Sequence, residues 1–324
     1  MEEIVTTPLR WGIIGTGLIA KRFAADLSFT DEGIIVAVGS RSQVTADAFG
    51  AEFGIANCYD SYEALVADCD VDAVYVATPH PMHHANGMLA LEHGKHVLIE
   101  KAFTMTAAQA RDLVSSARSK NLFLMEAMWT RFLPHVIAIR ELLAQGALGE
   151  IVAVSADHGQ WFVEDPAFRL FAPELGGGAL LDLGVYVVSW ASMILGTPEL
   201  VTATITPAFT GVDGETSMVF RYKSGAQSIL TCTSMAATPV RASIVGKDAR
   251  IEVEGRFYEP SSFTLVPRVG EPKRFEFEHE GRGLRHQAIE AARCVADGRI
   301  ESSIMPLDET VSIMETMEKV LEFG

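Results

Sequence analysis

The sequence has few cysteines and few basic residues, and both shortages narrow the possible functions. Its four cysteines, Cys58, Cys69, Cys232 and Cys294, show no CxxC or CxxH spacing, so neither a zinc site nor a disulfide framework is predicted. Only 26 Lys and Arg residues stand against 42 Asp and Glu, a formal net charge of -16. Since no basic block offsets this charge, we expect a small-molecule substrate and no nucleic-acid partner.

Long hydrophobic runs are also scarce. The first eight residues, MEEIVTTP, are acidic and contain no apolar signal region. The one long apolar stretch, Ala179 to Leu195, contains Asp182, Gly184 and Ser189, which favours a buried helix over a membrane span. Because the cysteine pattern also fits a reducing compartment, we expect a cytoplasmic protein without a membrane partner.

The chain is long enough for two domains, and the pattern of its apolar runs and turn residues changes near residue 128. Before that point, short apolar runs alternate with helical segments: Trp11–Ile14, Ile34–Val38, Val71–Ala77, Lys95–Ile99 and Leu122–Ala127. This alternation predicts an α/β fold, a doubly wound parallel sheet of the Rossmann type over residues 1–127.

Residues 128–324 instead show short strand candidates separated by Gly, Pro and Asp-Gly turns. They predict an α+β domain with a large, mostly antiparallel open sheet that has helices on one face. Because the other face also needs cover, we expect a homo-oligomer, a dimer or a tetramer, through this sheet.

A glycine turn opens the first predicted domain. The apolar run Trp11–Ile14 is followed by Gly15-Thr16-Gly17-Leu18-Ile19-Ala20 and then by a helical pattern. This order of strand, tight turn and helix is typical of a dinucleotide site, where Gly15 permits the turn and Gly17 lets the backbone approach the pyrophosphate. The cofactor-binding candidates here are Gly15, Thr16, Gly17, Leu18 and Ile19.

The next strand, Ile34–Val38, is followed by Gly39, Ser40 and Arg41. In an NAD site this position usually carries a carboxylate that binds the ribose hydroxyls. Here a hydroxyl and a guanidinium replace it, so the repulsion of a 2′-phosphate is removed and Arg41 can bind one. NADP is therefore favoured over NAD, with Ser40 and Arg41 as cofactor contacts.

Three histidines follow the strand Val71–Ala77 in the segment Thr78–His84, TPHPMHH. No acidic ligand accompanies them, and Pro79 and Pro81 interrupt the helix that would align them, so we predict no metal site. A loop beside the cofactor is the favoured interpretation. The following strand, Lys95–Ile99, leads directly into Glu100 and Lys101. The predicted cofactor contacts of these two loops are Thr78, Pro79, His80, His83, Glu100 and Lys101.

Three motifs together resemble the Gfo/Idh/MocA oxidoreductase family. They are the glycine turn, then His93-Gly94-Lys95-His96-Val97-Leu98-Ile99-Glu100-Lys101, and finally Gly176-Gly177-Gly178-Ala179-Leu180-Leu181-Asp182-Leu183-Gly184-Val185-Tyr186. The stretch Met125–Pro134 and Tyr186 are similar to the branch of dimeric dihydrodiol dehydrogenases and NADP-dependent D-xylose dehydrogenases. The family usually has proline where this chain has Ala102, which leaves Lys101 less restricted.

The resemblance implies hydride transfer between a nicotinamide and a carbinol carbon, which also requires a group that exchanges the hydroxyl proton. We predict that Tyr186 exchanges this proton, because a nearby ammonium favours the phenolate, and that Lys101 supplies the ammonium. In the family's dehydrogenases a lysine and a histidine or tyrosine occupy these motif positions. Asp182 lies four residues before Tyr186 and would orient a substrate hydroxyl. The predicted catalytic residues are Lys101, Tyr186 and Asp182.

Aromatic side chains suit the C–H surface of a sugar or a ring diol. The predicted substrate contacts are Trp129, Arg131, Phe132, Trp161, Phe162, Arg169, Asp182 and Tyr186. We therefore expect an NADP-dependent oxidoreductase acting on the CH–OH group of a sugar or vicinal diol. Two alternatives stay open: a keto-sugar or anhydrosugar reductase of the same fold, and a regulator that binds NADP without turnover.

Overall fold

The computed structural model describes residues 7–324. Its strands are β1 Leu9–Ile14, β2 Gly33–Gly39, β3 Asn57–Tyr59, β4 Ala73–Val76, β5 His96–Glu100, β6 Leu124–Ala127, β7 Ile151–Gly159, β8 Leu200–Pro207, β9 Asp213–Arg221, β10 Gln227–Thr233, β11 Ala242–Gly246, β12 Ala249–Val253, β13 Phe263–Pro267 and β14 Lys273–Phe275. Its α-helices are α1 Leu18–Leu27, α2 Gln43–Phe53, α3 Tyr62–Ala67, α4 His83–Glu92, α5 Ala107–Lys120, α6 Pro134–Ala144, α7 Val185–Leu195, α8 Arg285–Ala296 and α9 Leu307–Leu321.

The chain divides into two compact units. Of the described residues, the first contains 7–104, 108–129 and 280–310, and the second contains 105–107, 130–279 and 311–324. The boundary predicted after residue 127 lies beside the break at 129/130. The predicted division assigned all of residues 128–324 to the second domain, whereas residues 280–310 belong to the first unit.

The first unit contains a parallel sheet of six strands in the order β3-β2-β1-β4-β5-β6. Its central strands are buried apolar segments, such as AVYV in β4 and HVLIE in β5. The strand order reverses between β1 and β4, which pair directly. In open parallel sheets a ligand binds outside the carboxyl ends of the strands at such a reversal. The predicted Rossmann sheet is confirmed.

The second unit contains a sheet of eight strands in the order β14-β13-β12-β11-β7-β10-β9-β8. Neighbouring strands are antiparallel except β7 and β10, which are parallel. Side chains of β9 alternate between buried and exposed, as expected for a sheet with one covered face. The predicted large, mostly antiparallel sheet is therefore confirmed.

One helix, Pro173–Leu195, is long and apolar enough to cross a membrane by length and composition alone. However, 83% of its most apolar window is buried inside the protein. The burial agrees with the core helix predicted from Asp182, Gly184 and Ser189. Its residues Leu180–Gly184 form a π-helical turn that continues into α7.

A buried carboxylate holds the returning segment in the first unit. Asp26, at the end of α1, is 3% exposed. Its oxygens accept hydrogen bonds from the backbone N–H of Arg282, at 2.9 and 3.0 Å, and from that of Leu284, at 2.7 Å. Since Leu284 directly precedes α8, these bonds fix the start of that helix against α1.

Replacing this carboxylate should destabilise the protein. In Asp26→Ala the N–H groups of Arg282 and Leu284 lose their acceptor, which costs about 1–3 kcal/mol for each buried unsatisfied group. We expect a lower midpoint of urea unfolding. The matched control is Asp47→Ala, because Asp47 is exposed and, within residues 7–324, its carboxylate accepts a hydrogen bond only from the Gln43 side chain. Equal midpoints for both variants would contradict the anchoring role.

Candidate active site

The glycine turn after β1 combines a tightly packed glycine with an open one. Gly15 has φ +105°, and a Cβ there would lie 2.7 Å from the carbonyl oxygen of Ala77. At Gly17 the backbone is extended, and a Cβ would meet no atom of the described residues within 4 Å. The fold therefore requires glycine at 15, whereas at 17 a side chain would occupy only the space from which a ligand approaches.

Helix α1 begins at this turn without a side-chain cap on Gly17. Its first N–H groups and the positive end of its dipole are suited to an anion. Leu18 is 65% exposed beside them. An open glycine and an uncapped helix start fit the pyrophosphate of a dinucleotide, and Thr16, Leu18 and Ile19 belong to this turn and the start of α1.

At the end of β2 the two candidates differ in exposure. Ser40 is buried, and its hydroxyl shares a hydrogen bond of 2.6 Å with Thr45 Oγ1. Arg41 is exposed, and its positive charge acts on the neighbouring Tyr62, where it opposes the increase in the tyrosine's pKa caused by burial. An exposed guanidinium at the end of β2 is suited to a phosphate group.

The loop after β4 is tied to the end of β5 by two histidines. His83 is fully buried, with Nδ1 2.9 Å from the carbonyl oxygen of Ala102 and Nε2 2.8 Å from that of Thr78. His80 Nε2 lies 3.2 Å from the carbonyl oxygen of Lys101. Both ring nitrogens thus face carbonyl oxygens, and burial lowers the pKa of His83 in spite of these carbonyls. The two rings thus fix the backbone that carries Lys101.

Further contacts complete this part of the first unit. Asn86 Nδ2 donates to Thr78 Oγ1 at 3.1 Å, and Pro79 precedes a short 3-10 helix that starts at His80. The buried Glu100 carboxylate accepts from the Tyr75 hydroxyl and from the Lys101 N–H. The peptide bond between Lys101 and Ala102 is cis. The predicted cofactor residues thus lie at or directly after the carboxyl ends of β1, β2, β4 and β5, in the turns there or in the first residues of the helices that follow.

In the second unit, two predicted site residues form an ion pair. Asp182 is 5% exposed, and its two oxygens accept from Arg169 Nη1 and Nη2, each at 2.9 Å. This two-point geometry is the strong form of an arginine–carboxylate bond. The Arg169 side chain is half exposed, so the pair extends from the buried helix to the surface of the unit. A buried carboxylate is expensive without such a partner.

Tyr186 lies in a cluster of aromatic rings. Its ring centroid is 5.2 Å from that of His158 and 4.9 Å from that of Tyr258. His158 stacks on Tyr258 at 4.3 Å. The Gln160 amide nitrogen lies 2.9 Å from His158 Nε2 and 3.2 Å from the Tyr258 hydroxyl. The cluster holds the Tyr186 ring from two sides.

Tyr258 and Gln160 of this cluster are not predicted from the sequence. Tyr258 lies in the segment between β12 and β13, and no periodicity or spacing connects it with Tyr186. Only the pairing of β11, β12 and β13 brings that segment back to β7 and α7, and a sequence pattern does not specify such long-range pairing.

The remaining predicted substrate residues differ in their environments. Trp129 and Phe132 are each 5% exposed, whereas Trp161 is 64% exposed. Phe162 lies between these extremes, with its ring centroid 5.5 Å from that of Phe168. Arg131 is 2% exposed, and it donates to the side chain and the carbonyl oxygen of Ser189, each at 2.9 Å. Arg131 thereby holds α7 one turn beyond Tyr186.

Two family profiles match the chain. Residues 9–128 match "Oxidoreductase family, NAD-binding Rossmann fold" and residues 136–252 match "GFO/IDH/MocA C-terminal domain". The chain is 39% identical to the D-xylose 1-dehydrogenase (NADP(+)) of Hypocrea jecorina, over 98% of this chain and 92% of that protein. It is 37% identical to the trans-1,2-dihydrobenzene-1,2-diol dehydrogenase of Xenopus laevis, over 97% of both.

Solved structures agree with this fold. The aldose-aldose oxidoreductase of Caulobacter crescentus superposes with a TM-score of 0.88 at 24% identity, covering 98% of this chain and 97% of its own. A 3-ketoreductase from Actinomadura kijaniata, crystallised with NADP and TDP-benzene, gives a TM-score of 0.85 at 26% identity, covering 97% of both chains. The fold class and the oxidoreductase class predicted from the sequence are thus confirmed, and this chain belongs to the Gfo/Idh/MocA family of oxidoreductases.

Proposed function

We propose that this protein is an NADP-dependent dehydrogenase or reductase that transfers hydride between the nicotinamide and the CH–OH group of a sugar or vicinal diol. The observation that carries the proposal is the near-full-length similarity to enzymes named for a sugar and for a ring diol. D-xylose and trans-1,2-dihydrobenzene-1,2-diol both carry oxygen atoms on neighbouring carbon atoms. A substrate class defined by that feature therefore fits both relatives.

The cofactor is NADP, held by the first unit. The open Gly17 and the start of α1 would receive the pyrophosphate, Arg41 would bind the 2′-phosphate, and the Thr78–His83 loop and Lys101 would flank the remainder. When bound, NADP accepts or supplies the hydride. The second unit would then supply the substrate contacts. This assignment follows the prediction that residues 1–127 bind the cofactor and residues 128–324 bind the substrate.

Tyr186 and Lys101 are our candidates for handling the substrate proton. The ring cluster around Tyr186 keeps its phenol in one orientation, and the His80 and His83 contacts do the same for the backbone of Lys101. A fixed phenol can exchange a proton with a substrate hydroxyl, and an ammonium favours its ionised form. Asp182, oriented by Arg169, would accept a hydrogen bond from a second substrate hydroxyl.

Aromatic residues would shape the substrate contacts of the second unit. Trp161 offers an exposed face and Phe162 packs on Phe168, and such faces suit the C–H surface of a sugar ring. Trp129 belongs to the first unit, and Phe132 and Arg131 belong to the second. All three are buried and would support the substrate contacts. Half of the Arg169 side chain is exposed beside Asp182, which adds polar recognition.

A keto-sugar reductase is the second candidate. The likeness to a 3-ketoreductase at 26% identity over 97% of both chains favours it. It uses the same residues with the hydride moving in the opposite direction. The two candidates are separated by comparing turnover of sugar alcohol groups with NADP and of keto-sugars with NADPH.

The open face of the eight-stranded sheet would form a homo-oligomer. Ile229 and Val219 are directly paired across β10 and β9, and they are 57% and 45% exposed. Ile229 and Arg241 line a shallow depression of about 480 Å³ on this sheet. Apolar side chains on a sheet face are typical of a covered surface. A reducing cytoplasm is the proposed location, since all four cysteines are free thiols.

The phosphate role of Arg41 predicts a change in cofactor preference. Arg41→Ala should weaken NADP binding about 10- to 100-fold, the value of a lost hydrogen bond to a charged group, and should leave NAD binding nearly unchanged. Fluorescence titration of both nucleotides measures this. Lys120→Ala, which removes an exposed cation in the same unit, should change neither affinity. Equal losses of NADP and NAD in Arg41→Ala would refute the contact.

The proton role of Tyr186 predicts a loss of rate. Tyr186→Phe should lower kcat about 100- to 10,000-fold, the contribution of general acid–base catalysis, with unchanged NADP affinity. Initial rates across aldoses and cyclic trans-diols provide the test. The control is Tyr222→Phe, which removes a buried hydroxyl bonded to Ser228 in the same unit. Wild-type rates in Tyr186→Phe would reject the role, and tight NADP binding by a wild type without any turnover would favour a non-catalytic regulator.

The sheet surface predicts an oligomer that charge can dissociate. Val219→Lys/Ile229→Lys places two cations on the proposed interface, and burial of unpaired charges is costly. Light scattering after size exclusion should show a multimer for the wild type and a smaller species for the variant. Val44→Lys, at a 77% exposed position in the first unit, should keep the wild-type mass. A monomeric wild type would rule out the interface.

A further inference from the structure

The helix that carries Asp182 and Tyr186 begins in an unusual way. It follows three consecutive glycines, Gly176–Gly178, and its first turn is the π-helical segment Leu180–Gly184. The residue at its start, Ala179, offers no side-chain hydrogen bond to the first N–H groups. An acceptor for those groups must come from elsewhere, because buried N–H groups are almost always bonded.

Asp213 supplies that acceptor. It is the first residue of β9, and its Oδ2 lies 2.6 Å from the backbone nitrogen of Leu180. The Ala179 N–H also bonds this carboxylate. A carboxylate at the start of a helix satisfies the free N–H groups and interacts favourably with the helix dipole. The contact joins residues that are 33 positions apart.

Gly178 makes room for the carboxylate. Its φ is +126°, and a Cβ there would lie 3.0 Å from Asp213 Cγ and overlap a carboxylate oxygen. Any other residue would thus be strained in its backbone and would displace Asp213. The glycine at this motif position has a physical task in holding the helix, besides any contact with a ligand.

The environment of Asp213 makes its charge sensitive to pH near neutrality. Burial raises the pKa of its carboxyl to about 6, in spite of the N–H groups that favour the ionised form. The other titratable side chains on the elements packed around it are Asp157 and His158 on β7, Glu215 and Arg221 on β9, Cys232 on β10, and Asp182 and Tyr186 on the helix itself. Cys232 is fully buried, and burial raises the pKa of its thiol, so the thiol stays neutral.

We propose that Asp213 is a positioning residue for the dehydrogenase reaction, acting through the helix start that it anchors and thereby fixing Asp182 and Tyr186. This inference rests on the proposed function. Leu180 is two residues before Asp182 and six before Tyr186. A shift of the first turn therefore moves both groups together, while Arg169 and the ring cluster hold only their side-chain ends.

The first test separates positioning from folding. Asp213→Asn keeps the size of the side chain and removes its charge and one of its acceptor oxygens. We expect kcat to fall about 10- to 100-fold, as misplacement of reacting groups does, with NADP affinity and thermal unfolding close to wild type. Asp157→Asn is the matched control, because Asp157 also accepts from two backbone N–H groups, those of Val240 and Arg241. It should retain wild-type kcat.

The pH profile supplies a readout that a purely structural role would not change. As the pH falls through about 6, Asp213 takes up a proton and loses its charge-assisted bonds to the helix. Wild-type kcat should therefore decline on the acid side with a midpoint near that value. In Asp213→Asn, kcat should be lower than in the wild type at neutral pH and should not decline further on the acid side. A decline with an unchanged midpoint in the variant would assign the titration to another group and overturn the proposal.

An NMR titration tests the anchor without any substrate. The amide proton resonance of Leu180 should shift with a midpoint near pH 6 in the wild type and should not titrate in Asp213→Asn. If the Leu180 resonance does not titrate in the wild type, Asp213 does not anchor the helix. If kcat of Asp213→Asn lies within threefold of the wild-type value, Asp213 is not a positioning residue. If the wild type turns over no sugar or diol, the proposed function has failed, and the Leu180 titration still decides whether Asp213 anchors the helix.

Discussion

The cost of burying a charged group without a partner shapes the second unit. The helix that carries Asp182 and Tyr186 is so apolar that a carboxylate within it is stable only with a partner, and Arg169 provides one through two parallel bonds. The same constraint places the Arg131 guanidinium on Ser189 and the Asp213 carboxylate on Leu180. These bonds secure one helix at its start, at its first turn and beyond Tyr186. The side chains that we propose for catalysis are thus carried by a helix that is held at several points along its length.

In the first unit, the ends of the parallel strands position the predicted cofactor residues. Parallel strands bring their carboxyl ends to one edge, where short loops carry the glycine turn, Arg41 and the histidine segment. His83 links two of these loops, because its ring nitrogens contact the carbonyl oxygens of Thr78 and Ala102. The backbone of Lys101 is consequently set by residues about twenty positions earlier in the chain.

Local features could be predicted from the sequence, and distant pairings could not. Gly15 and Gly17 were identified because a turn between a strand and a helix is encoded within a few residues. Two contacts depend instead on tertiary packing. Arg169 reaches Asp182 from the loop after β7, and Asp213 reaches Leu180 from the start of β9. Helix α5 was not predicted, because the polar sequence AAQARDLVSSARSK has a weak apolar pattern. The strands β3 and β14 have three residues each, too few for a periodicity.

The return of residues 280–310 to the first unit has a consequence for how the protein is made. Asp26 is synthesised early, but its hydrogen-bond donors at Arg282 and Leu284 emerge only after more than 250 further residues, as the separations of 256 and 258 positions show. The nucleotide unit therefore cannot complete its packing on the ribosome before nearly the whole chain exists. A fragment that ends near residue 128 would expose the surface meant for α8, so biosynthesis must carry an unfinished first unit through translation of the entire second one.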